Sequence, residues 1–389
     1  MPPLRLLTVF GTRPEAVKLG PVIRQLERFP DRIASRVLVT AQHRDMLDQV
    51  LRVFDLHPDH DLDLMQDDQT PSQVAAAVLA RLEPVLEAER PDWMLVQGDT
   101  TTVAAASLAA FYARVRIGHV EAGLRTGDRW QPFPEEINRR LAGVIADRHF
   151  APTPRARDNL LREDVPGDRI LVTGNTGIDA LQWIVEQPEL PEMTRLLDGH
   201  FRTILLTAHR RENFGASLEQ ICLAVRDLVT ERDEVQVIYP VHRNPNVWGP
   251  VHRLLGDLAH VRLCSPLDYL PMLQLMRRSH LILTDSGGIQ EEAAGLGIPA
   301  LVLREVTERP EGVETGALAV VGTDRARIVH EVSRLLDDPV AYRRMASAEN
   351  PFGDGHAAER IVASLLDEPV EPFSTPPRGR PRSKVATRA

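Results

Sequence analysis

The sequence predicts an α/β protein made of two doubly wound, Rossmann-like domains. Short apolar runs alternate with longer amphipathic stretches along almost the whole chain, which is typical of βαβ units and a parallel sheet. This alternation occupies both halves of the chain. A length of 389 residues is too great for one ordinary core and suits two domains of roughly 150 to 200 residues each.

In the first half, five apolar runs are predicted as strands, and the amphipathic stretches between them as helices. The runs are short and apolar throughout, as expected for strands buried on both faces of a parallel sheet. The strands are residues 4–10, 35–40, 93–99, 117–123 and 148–153. The helices include residues 15–29, 44–54, 72–89 and 102–113.

The second half repeats this pattern. Its strands are residues 203–208, 235–241, 261–266, 281–285 and 299–303. Its helices are residues 217–232, 247–255, 269–277 and 290–297. Two such sheets in tandem leave a cleft between the carboxyl ends of their strands, where open α/β sheets bind ligands, so we expect an interdomain site.

The domain boundary is predicted within "TGNTGIDAL", where a strand ends in a Gly-Asn turn and a helix begins. The first domain is therefore residues 1–173 and the second is residues 174–354. The last amphipathic helix, residues 355–367, could belong to either domain, and we assign it to the first. The Pro- and Arg-rich residues 368–389 are predicted to be a disordered tail, and contact between this basic tail and an anionic partner stays open.

Bulk composition argues against several classes of protein. Hydrophobic residues make up 43% of the chain and charged residues 26%, as in a water-soluble globular protein. The formal net charge of -9 argues against a nucleic-acid partner, whose phosphates it would repel. No run approaches the roughly 20 apolar residues of a membrane span, and the short first strand does not resemble a signal peptide. Cys222 and Cys264 offer neither a disulfide framework nor the spacing of a metal site, so we expect a reduced, cytoplasmic protein.

Polar residues follow the predicted strands of the first half, where a doubly wound domain directs them into the cleft. Arg13 and Lys18 put two cations at a glycine turn, which suits a diphosphate, although a surface arginine and a solvated lysine would fit equally well. Asp99 is either a site residue or a cap of the next helix. Glu121 lies between a buried run and Ala-Gly, which favours a paired or titrating carboxylate over a solvated one.

Three further stretches carry candidate residues. The helix start in "PFPEEINRR" contains Glu135 and Glu136, acids that the helix dipole alone would also explain. In the second half, His209 and Arg210 directly follow a strand in "HRRE", which favours a role facing an anion. His242 follows the next strand in "YPVHRNP", whose Pro and Asn also fit an ordinary turn.

The stretch "TDSGGIQEEAAGLGIP" predicts an anion-binding turn, because a buried strand, two glycines and a helix N-terminus follow one another. It has neither the Lys-Ser/Thr of a P-loop nor a GxGxxG dinucleotide motif. Ser286, Gly287 and Gly288 could hold a diphosphate through their backbone. Arg13 and His209 would supply positive charge from elsewhere, and one of the following glutamates would bind ribose hydroxyls. A glycine-rich turn before a solvated, acidic helix start is the other interpretation.

Ten motifs, taken in chain order, give the sequence a family resemblance. They are "VFGTRPEAVKLGPV", "VTAQHRDMLDQVL", "GDTTTVAAASLAAFY", "GHVEAGLRTGD", "PFPEEINRRL", "TGNTGIDAL", "TAHRRENFG", "YPVHRNPNV", "LTDSGGIQEEAAGLGIP" and "TERPEGVETG". With them, the chain resembles the non-hydrolysing UDP-N-acetylglucosamine 2-epimerases from about residue 4 to residue 366. The resemblance implies a GT-B-like architecture, a UDP-sugar substrate, no cofactor, and a homodimer that serves cell-surface polysaccharide biosynthesis.

The resemblance also implies roles for individual residues. The catalytic residues that match are Asp99, Glu121, Glu135 and His209. The substrate-binding residues that match are Arg13, Lys18, Ser286, Gly287, Gly288, Glu292 and Arg309. In the uracil region, Leu267 and Met272 stand where some members have a glutamine and a phenylalanine.

Bacterial members of this family have a second substrate site that activates them. The residues that match it are Gln42, Glu136, Arg210 and His242. Asp45 and Asp68, however, stand where some regulated relatives have Gln and Arg, and an extra acid beside a nucleotide diphosphate would repel it. Substrate activation is therefore a weaker expectation than catalysis.

The reaction that the resemblance implies explains these residue types. No carbonyl acidifies the C2 proton, so the family eliminates UDP to form 2-acetamidoglucal and then adds UDP back. Arg13, His209 and the glycine turn would stabilise the leaving group. Three carboxyl groups would exchange protons on the two faces of the sugar, and closure around the cleft would keep out water.

Four other functions stay open. A GT-B glycosyltransferase would share the glycine turn and the ribose glutamate, but it has no use for three clustered acids. A hydrolysing 2-epimerase would let water capture the intermediate and release N-acetylmannosamine. A UDP-diacetamido-uronic acid substrate would need an extra cation near the sugar, and a non-catalytic nucleotide-sugar binder would not need the carboxylates.

Overall fold

The computed structural model describes residues 2–40, 44–64, 69–197 and 200–374. These residues form two compact units. The first unit contains the chain up to Trp183 together with Gly353–Ser374, and the second contains Ile184–Phe352. Each unit is built around one parallel sheet whose strands alternate with helices, so the predicted α/β, doubly wound class is confirmed.

The strands of both sheets are short, as strands in globular proteins usually are. In chain order they are β1 (Leu4–Phe10), β2 (Ile33–Val39), β3 (His60–Asp61), β4 (Trp93–Gln97), β5 (Arg116–Val120), β6 (Arg148–Ala151), β7 (Ile170–Val172), β8 (Arg202–Thr207), β9 (Val235–Pro240), β10 (Val261–Cys264), β11 (Leu281–Thr284), β12 (Ala300–Val302) and β13 (Leu318–Val320).

Helices follow most of these strands. They are α1 (Arg13–Leu26), α2 (Arg44–Val53), α3 (Pro71–Glu89), α4 (Thr101–Tyr112), α5 (Glu135–Ile145), α6 (Pro154–Arg162), α7 (Thr176–Val185), α8 (Pro191–Leu196), α9 (Ala216–Glu231), α10 (Pro245–Leu255), α11 (Tyr269–Arg278), α12 (Gly287–Leu296), α13 (Pro310–Thr315), α14 (Arg325–Asp337), α15 (Pro339–Ala346) and α16 (Ala357–Leu365).

The order of the strands places a ligand-binding position in each sheet. The first unit has the order β3-β2-β1-β4-β5-β6-β7, and the second has β10-β9-β8-β11-β12-β13. The direction of winding therefore reverses between β1 and β4 in one sheet and between β8 and β11 in the other. Because ligands of open α/β sheets bind outside the carboxyl ends of strands at such reversals, the residues after these four strands are the first candidates for a site.

Apolar side chains on both faces of each sheet form the cores. In the first unit, strand residues such as Leu7 and Met94 pack with Val78, Leu82 and Val103 of the flanking helices. Each is fully buried, and burying one such side chain contributes roughly 1.5 to 3 kcal/mol. The core of the second unit is built in the same way, with these members among others: Ile204, Leu206, Ile221, Val225, Val237 and Leu283.

The element boundaries differ from the predicted ones where capping or brevity decides them. Helix α1 begins at Arg13, two residues before the predicted start, because Thr12 and Glu15 form a capping box around its first turn. Strands β3 and β13, of two and three residues, are absent from the prediction because such short segments show no clear periodicity. The strand predicted to end at the Gly-Asn turn is β7, which has three residues.

The segment after α16 is placed against the first unit as far as residue 374. The amide of Phe373 donates a hydrogen bond to the carbonyl oxygen of Val172 (2.7 Å), and the ring is buried beside Arg360. The predicted disordered tail is therefore wrong for residues 368–374, because Phe373 supplies an apolar anchor. Residues 375–389 lie outside the described residues.

Two properties bear on the excluded classes of protein. Among the described residues, no helix is both long enough and apolar enough to cross a membrane. Cys222 and Cys264 are both free thiols, and burial raises the pKa of Cys222 to about 12 and that of Cys264 to about 11. Such thiols stay protonated and unreactive near neutral pH.

Candidate active site

In the first unit, the turn after β1 is fixed by a buried glutamate. The carboxylate of Glu15 accepts hydrogen bonds from the backbone amides of Gly11 (3.1 Å) and Thr12 (2.7 Å) and from Thr100 Oγ1 (2.8 Å). Burial raises its pKa, and these hydrogen bonds act against that shift. Glu15 thereby ties the turn after β1 to the turn after β4. Arg13 is half-buried at the first position of α1, on this braced turn.

Lys18 and Glu121 form an ion pair beside this turn. Glu121 accepts hydrogen bonds from Lys18 Nζ through one carboxylate oxygen and from Gln97 Nε2 through the other. Its side chain is only 8% exposed, and its backbone has φ = 64°, which is uncommon for a non-glycine residue. Such a strained position is held by its surroundings, and strained residues of this kind concentrate at functional sites.

Asp99 follows β4 and contacts a second cation, Arg139. Burial raises the pKa of the Asp99 carboxyl and the negative charge of Glu121 raises it further, whereas Arg139 and Lys18 lower it. Asp99 and Glu121 therefore influence each other, as expected for paired acid and base groups. His119 Nε2 donates to the carbonyl oxygen of Gly98 (2.7 Å), and burial lowers the pKa of His119 to about 4, so it is a neutral support for this turn.

Glu135 and Glu136 both lie at the start of α5 but have different surroundings. Glu135 is half-buried at the first position of the helix. Glu136 is completely buried, and it accepts hydrogen bonds from the amides of Thr126 (3.2 Å) and Gly127 (3.3 Å). Because it also pairs with Arg139 (3.3 Å), it braces the loop before α5. This is a structural position for a residue that the family resemblance assigns to the second substrate site.

In the second unit, Asp285 organises the residues that follow β8. Thr207 and Thr284 are register partners on β8 and β11, and Asp285 follows directly on β11. Its Oδ2 accepts hydrogen bonds from the amides of His209 and Arg210 (both 2.8 Å) and from Asn213 Nδ2 (3.0 Å). Asp285 is fully buried, and sequence reasoning missed it because nothing in the letters "TDSGG" distinguishes a loop brace from a solvated aspartate.

His209 lies between this aspartate and a second histidine. Its Nδ1 is 3.7 Å from Asp285 Oδ1, and its ring stacks on that of His242 with centroids 5.5 Å apart. Burial lowers the pKa of His209, and the charges of His242 and Arg210 add to this effect, whereas Asp285 opposes it. An incoming anion would raise the pKa again, because it favours the protonated imidazole.

The start of α12 is an anion-binding position with two cations beside it. A side-chain carbon placed on Gly287 would lie 3.8 Å from Arg309 Nη2 and 4.0 Å from Arg210 Nη2. Next to it, a side-chain carbon on Gly288 would meet no atom within 4 Å. The free amides of a helix N-terminus, two guanidinium groups and open space together suit a diphosphate. Arg210, which the resemblance assigns to the second substrate site, thus lies beside the glycine turn.

The two glutamates of α12 have different environments. Glu291 is buried and forms an ion pair with Arg309, which fixes the guanidinium near Gly287. Glu292 is half-buried on the same helix. The sequence assigns a ribose-binding role to Glu292 and none to Glu291, because a pairing between residues 18 positions apart leaves no local signal.

The remaining candidates have less informative positions. Leu267 and Met272, in the predicted uracil region, are both half-buried. Leu267 lies before α11 and Met272 lies within it. Gln42 and Asp68 lie outside the described residues, and so does the side chain of Asp45. Within the described part of the chain, no group of three or more His, Cys, Asp or Glu side chains could hold a metal ion.

Comparison with known proteins gives one consistent family. The family model described as UDP-N-acetylglucosamine 2-epimerase matches residues 24–366. The UDP-N-acetylglucosamine 2-epimerase of Yersinia pestis is 52% identical over 375 residues, covering 94% of this chain and 100% of the relative. The crystal structure of UDP-GlcNAc 2-epimerase from Neisseria meningitidis bound to UDP-GlcNAc is 45% identical, with a TM-score of 0.86, and covers 94% of this chain and 100% of that one. The Methanocaldococcus jannaschii enzyme in complex with UDP-GlcNAc and UDP is 34% identical, with a TM-score of 0.76 and the same coverage.

Proposed function

Because this chain belongs to the UDP-N-acetylglucosamine 2-epimerase family, we propose that it interconverts UDP-N-acetylglucosamine and UDP-N-acetylmannosamine without hydrolysing them. The reaction would proceed by elimination of UDP to 2-acetamidoglucal, return of a proton to the opposite face of C2, and re-addition of UDP at C1. The observation that carries the proposal is the presence of both required chemical sets: a glycine turn with two guanidinium groups in one unit, and a cluster of buried ionisable groups in the other.

The second unit would bind the diphosphate and stabilise it as it leaves. Breaking the bond between C1 and the diphosphate oxygen puts negative charge on UDP. The amides at Gly287 and Gly288 and the guanidinium groups of Arg210 and Arg309 are fixed donors for that charge, and fixed donors require no rearrangement as the charge develops. Protonation of His209 would add a further donor, since binding of an anion raises its pKa.

The first unit would exchange the C2 proton. Loss of UDP gives the sugar oxocarbenium character, which acidifies the C2 hydrogen, and a carboxylate then removes it. Asp99 has a raised pKa and a charged neighbour in Glu121, so the two can differ in protonation at one pH. Glu135, half-buried at the start of α5, would be the third carboxyl group. Arg13 and Lys18 would supply positive charge on this side.

The remaining contacts complete the proposed substrate site. Glu292, on α12 beyond the two glycines, would accept hydrogen bonds from the ribose hydroxyls. Ser286 would contact phosphate. Leu267 and Met272 would leave uracil recognition to backbone groups. The proposed route uses no cofactor. Among the described residues, no group of three or more His, Cys, Asp or Glu side chains could hold a metal ion. Substrate activation through Gln42, Glu136, Arg210 and His242 stays a prediction, which strictly hyperbolic kinetics across the substrate range would contradict.

Proton NMR of the purified protein with UDP-N-acetylglucosamine in D2O tests the proposal. We expect UDP-N-acetylmannosamine with deuterium at C2, because the proton removed from C2 exchanges with solvent before its replacement is added. Free N-acetylmannosamine plus UDP would instead identify a hydrolysing enzyme. An unchanged substrate that nevertheless binds would identify a glycosyltransferase or a binding protein.

We also propose that the protein is a homodimer in the cytoplasm. Four large apolar side chains near the carboxyl ends of the packed helices α4 and α5 are exposed: Phe111 by 56%, Tyr112 by 69%, Leu141 by 54% and Val144 by 83%. Exposed apolar groups at this density support a contact with a second copy of the chain. Light scattering of Val144→Glu should show a monomer, and Val340→Glu, at an exposed valine of the second unit, should stay dimeric. Dimers of both variants would exclude this surface.

A further inference from the structure

The buried carboxylate of Asp285 has one oxygen that the fold leaves unused. Its Oδ2 accepts three hydrogen bonds, all from the turn that carries His209. Its Oδ1 is also buried, and it has no hydrogen-bond partner among the described residues. A buried carboxylate oxygen without a donor is unfavourable, so such an oxygen calls for an explanation.

An ionisable group close to this oxygen is the imidazole of His209. The distance from Asp285 Oδ1 to His209 Nδ1 is 3.7 Å, which is too long for a hydrogen bond but needs only a small rotation of the ring to become one. The ring has room to rotate because its side chain is 39% exposed, whereas Asp285 is held from three directions. The ring of His242 is nearly parallel to it, with 9° between the planes and 5.5 Å between the centroids.

We propose that Asp285 is a positioning residue for His209, which fixes the imidazole with its proton on Nδ1 and leaves Nε2 as the basic nitrogen. A carboxylate cannot donate a hydrogen bond when ionised, so the nitrogen facing Oδ1 must carry the hydrogen. The neutral ring then has one possible tautomer, and protonation at Nε2 creates a donor directed away from Asp285. Only the nature of the ligand that faces Nε2, a diphosphate, rests on the proposed function.

The charged groups around His209 make this assignment measurable. Asp285 raises the pKa of the imidazole, whereas burial, His242 and Arg210 lower it. Removing only the negative charge of Asp285 should therefore lower the pKa of His209. Because a nearby charge alone also moves the pKa, the tautomer, which reports the nitrogen that faces Oδ1, is the measurement that identifies a contact with the ring.

The first measurement uses the unaltered full-length protein. Nitrogen-15 NMR of its histidines, with His209 assigned by comparison with His209→Gln, reports which ring nitrogen is protonated. We expect the Nδ1–H tautomer for neutral His209. The Nε2–H tautomer would overturn the proposal, and this result requires no variant of Asp285.

The second measurement compares two variants of the loop. Asp285→Asn keeps an oxygen for the two backbone amides but removes the charge, whereas Asn213→Ala removes one hydrogen bond to Oδ2 and leaves Oδ1 intact. We expect a lower pKa of His209 and a fall in kcat of about 10²-fold in Asp285→Asn. In Asn213→Ala the titration of His209 should be unchanged.

Equal effects of the two variants on the titration would show that Asp285 only braces the loop. The outcome is separable from the proposed function, because the tautomer and the pKa of His209 are read without substrate. A protein with the Nδ1–H tautomer that fails to epimerise UDP-N-acetylglucosamine would keep this inference and lose the function. A protein with the Nε2–H tautomer that does epimerise UDP-N-acetylglucosamine would keep the function and lose this inference.

Discussion

At the scale of single residues, the Lys18–Glu121 pair is the contact on which the proposed proton exchange depends most. Glu121→Gln removes the negative charge beside the half-buried ammonium group of Lys18. We expect kcat to fall by about 10²-fold or more, with a smaller change in KM, because a proton acceptor is lost. Steady-state assays of the epimerisation provide the measurement.

The control for this change is Glu27→Gln, which removes an exposed carboxylate that pairs with Arg24 at 3.0 Å. Exposed pairs contribute roughly 0 to 1 kcal/mol, so this variant should match the unaltered enzyme in kcat and stability. A Glu121→Gln enzyme with kcat within threefold of the original would refute a role for Glu121 in proton transfer.

Glu291 offers a second test at this scale, since it holds Arg309 but has no assigned contact with substrate. In Glu291→Gln the guanidinium near Gly287 loses its anchor. We expect KM to rise by about tenfold with a smaller change in kcat, because ground-state binding of the diphosphate weakens. Glu308→Gln, at an exposed residue close to Arg309 in sequence, should leave KM unchanged, and equal KM values in both variants would count against the anchoring role.

Which residues the sequence could predict follows from where their partners lie. Glu121 was identifiable as a paired carboxylate because its immediate neighbours are apolar, so the reason is local. Glu291 and Asp285 contact partners 18 and 76 positions away, and only the fold brings those partners to them. Long-range pairs of this kind leave no periodic or compositional signal in one sequence.

At the scale of secondary-structure elements, the start of α12 is the clearest target. In Gly287→Ala the added methyl group would be in ordinary contact with the guanidinium groups of Arg309 and Arg210, so the fold should tolerate it. It would nevertheless occupy the position between the two cations where we place a phosphate. We expect KM for the UDP-sugar to rise by about tenfold or more, with a melting temperature close to that of the unaltered protein.

Gly249→Ala is the matching control, because this glycine lies within α10 and an added carbon would meet no atom within 4 Å. Alanine is the better helix former by roughly 1 kcal/mol, so this variant should be slightly more stable and unchanged in KM. An unchanged KM in Gly287→Ala as well would place the phosphate elsewhere.

The junction of α7 and α16 gives a prediction about pH. Asp179 on α7 accepts a hydrogen bond from the amide of Ala358 on α16 (2.7 Å) and is 8% exposed. Burial raises its pKa to about 7, and Asp354 adds to the shift. Because this folded-state pKa exceeds that of the unfolded chain, the folded protein holds the proton longer, and stability falls as pH rises from about 4 to about 7.

Asp179→Asn removes this titration while keeping an acceptor for Ala358. We expect the variant to be more stable than the unaltered protein by an amount that grows by on the order of 2 kcal/mol between about pH 5 and about pH 8. Urea unfolding at several pH values measures the difference. Glu359→Gln, at an exposed carboxylate of α16, should show no such trend, and a flat difference for Asp179→Asn would contradict the raised pKa.

Elements were predictable in proportion to their length and burial. The predicted strands are all present, because each is a short apolar run of the kind that a parallel sheet buries. The predicted ends of β4 and β5 lie too far toward the carboxyl side, because Gly98 and Glu121 adopt positive φ angles and end the strand pairing. Positive φ at a glutamate is a tertiary effect that its sequence neighbours do not indicate.

At the scale of the whole molecule, the fold class follows from the repeated alternation, but the sheet orders do not. Sequential pairing would have been as consistent with the letters as the reversals between β1 and β4 and between β8 and β11. Those reversals decide which strand ends are neighbours, and therefore which polar residues act together. The family resemblance is what grouped Asp99 and Glu121 as candidates, because it carries the arrangement of a fold along with its motifs.

The first unit is assembled from both ends of the chain, and this has a consequence for its synthesis on the ribosome. Helix α16 packs on α1, and Phe373 extends that contact to β7, yet both are translated after the entire second unit. The second unit is continuous in sequence and can fold as it emerges, whereas the first must wait for its last segment. A chain that ends at residue 352 and has been released should therefore resist protease over Ile184–Phe352 and remain susceptible in the earlier part, where α1 still lacks its cover.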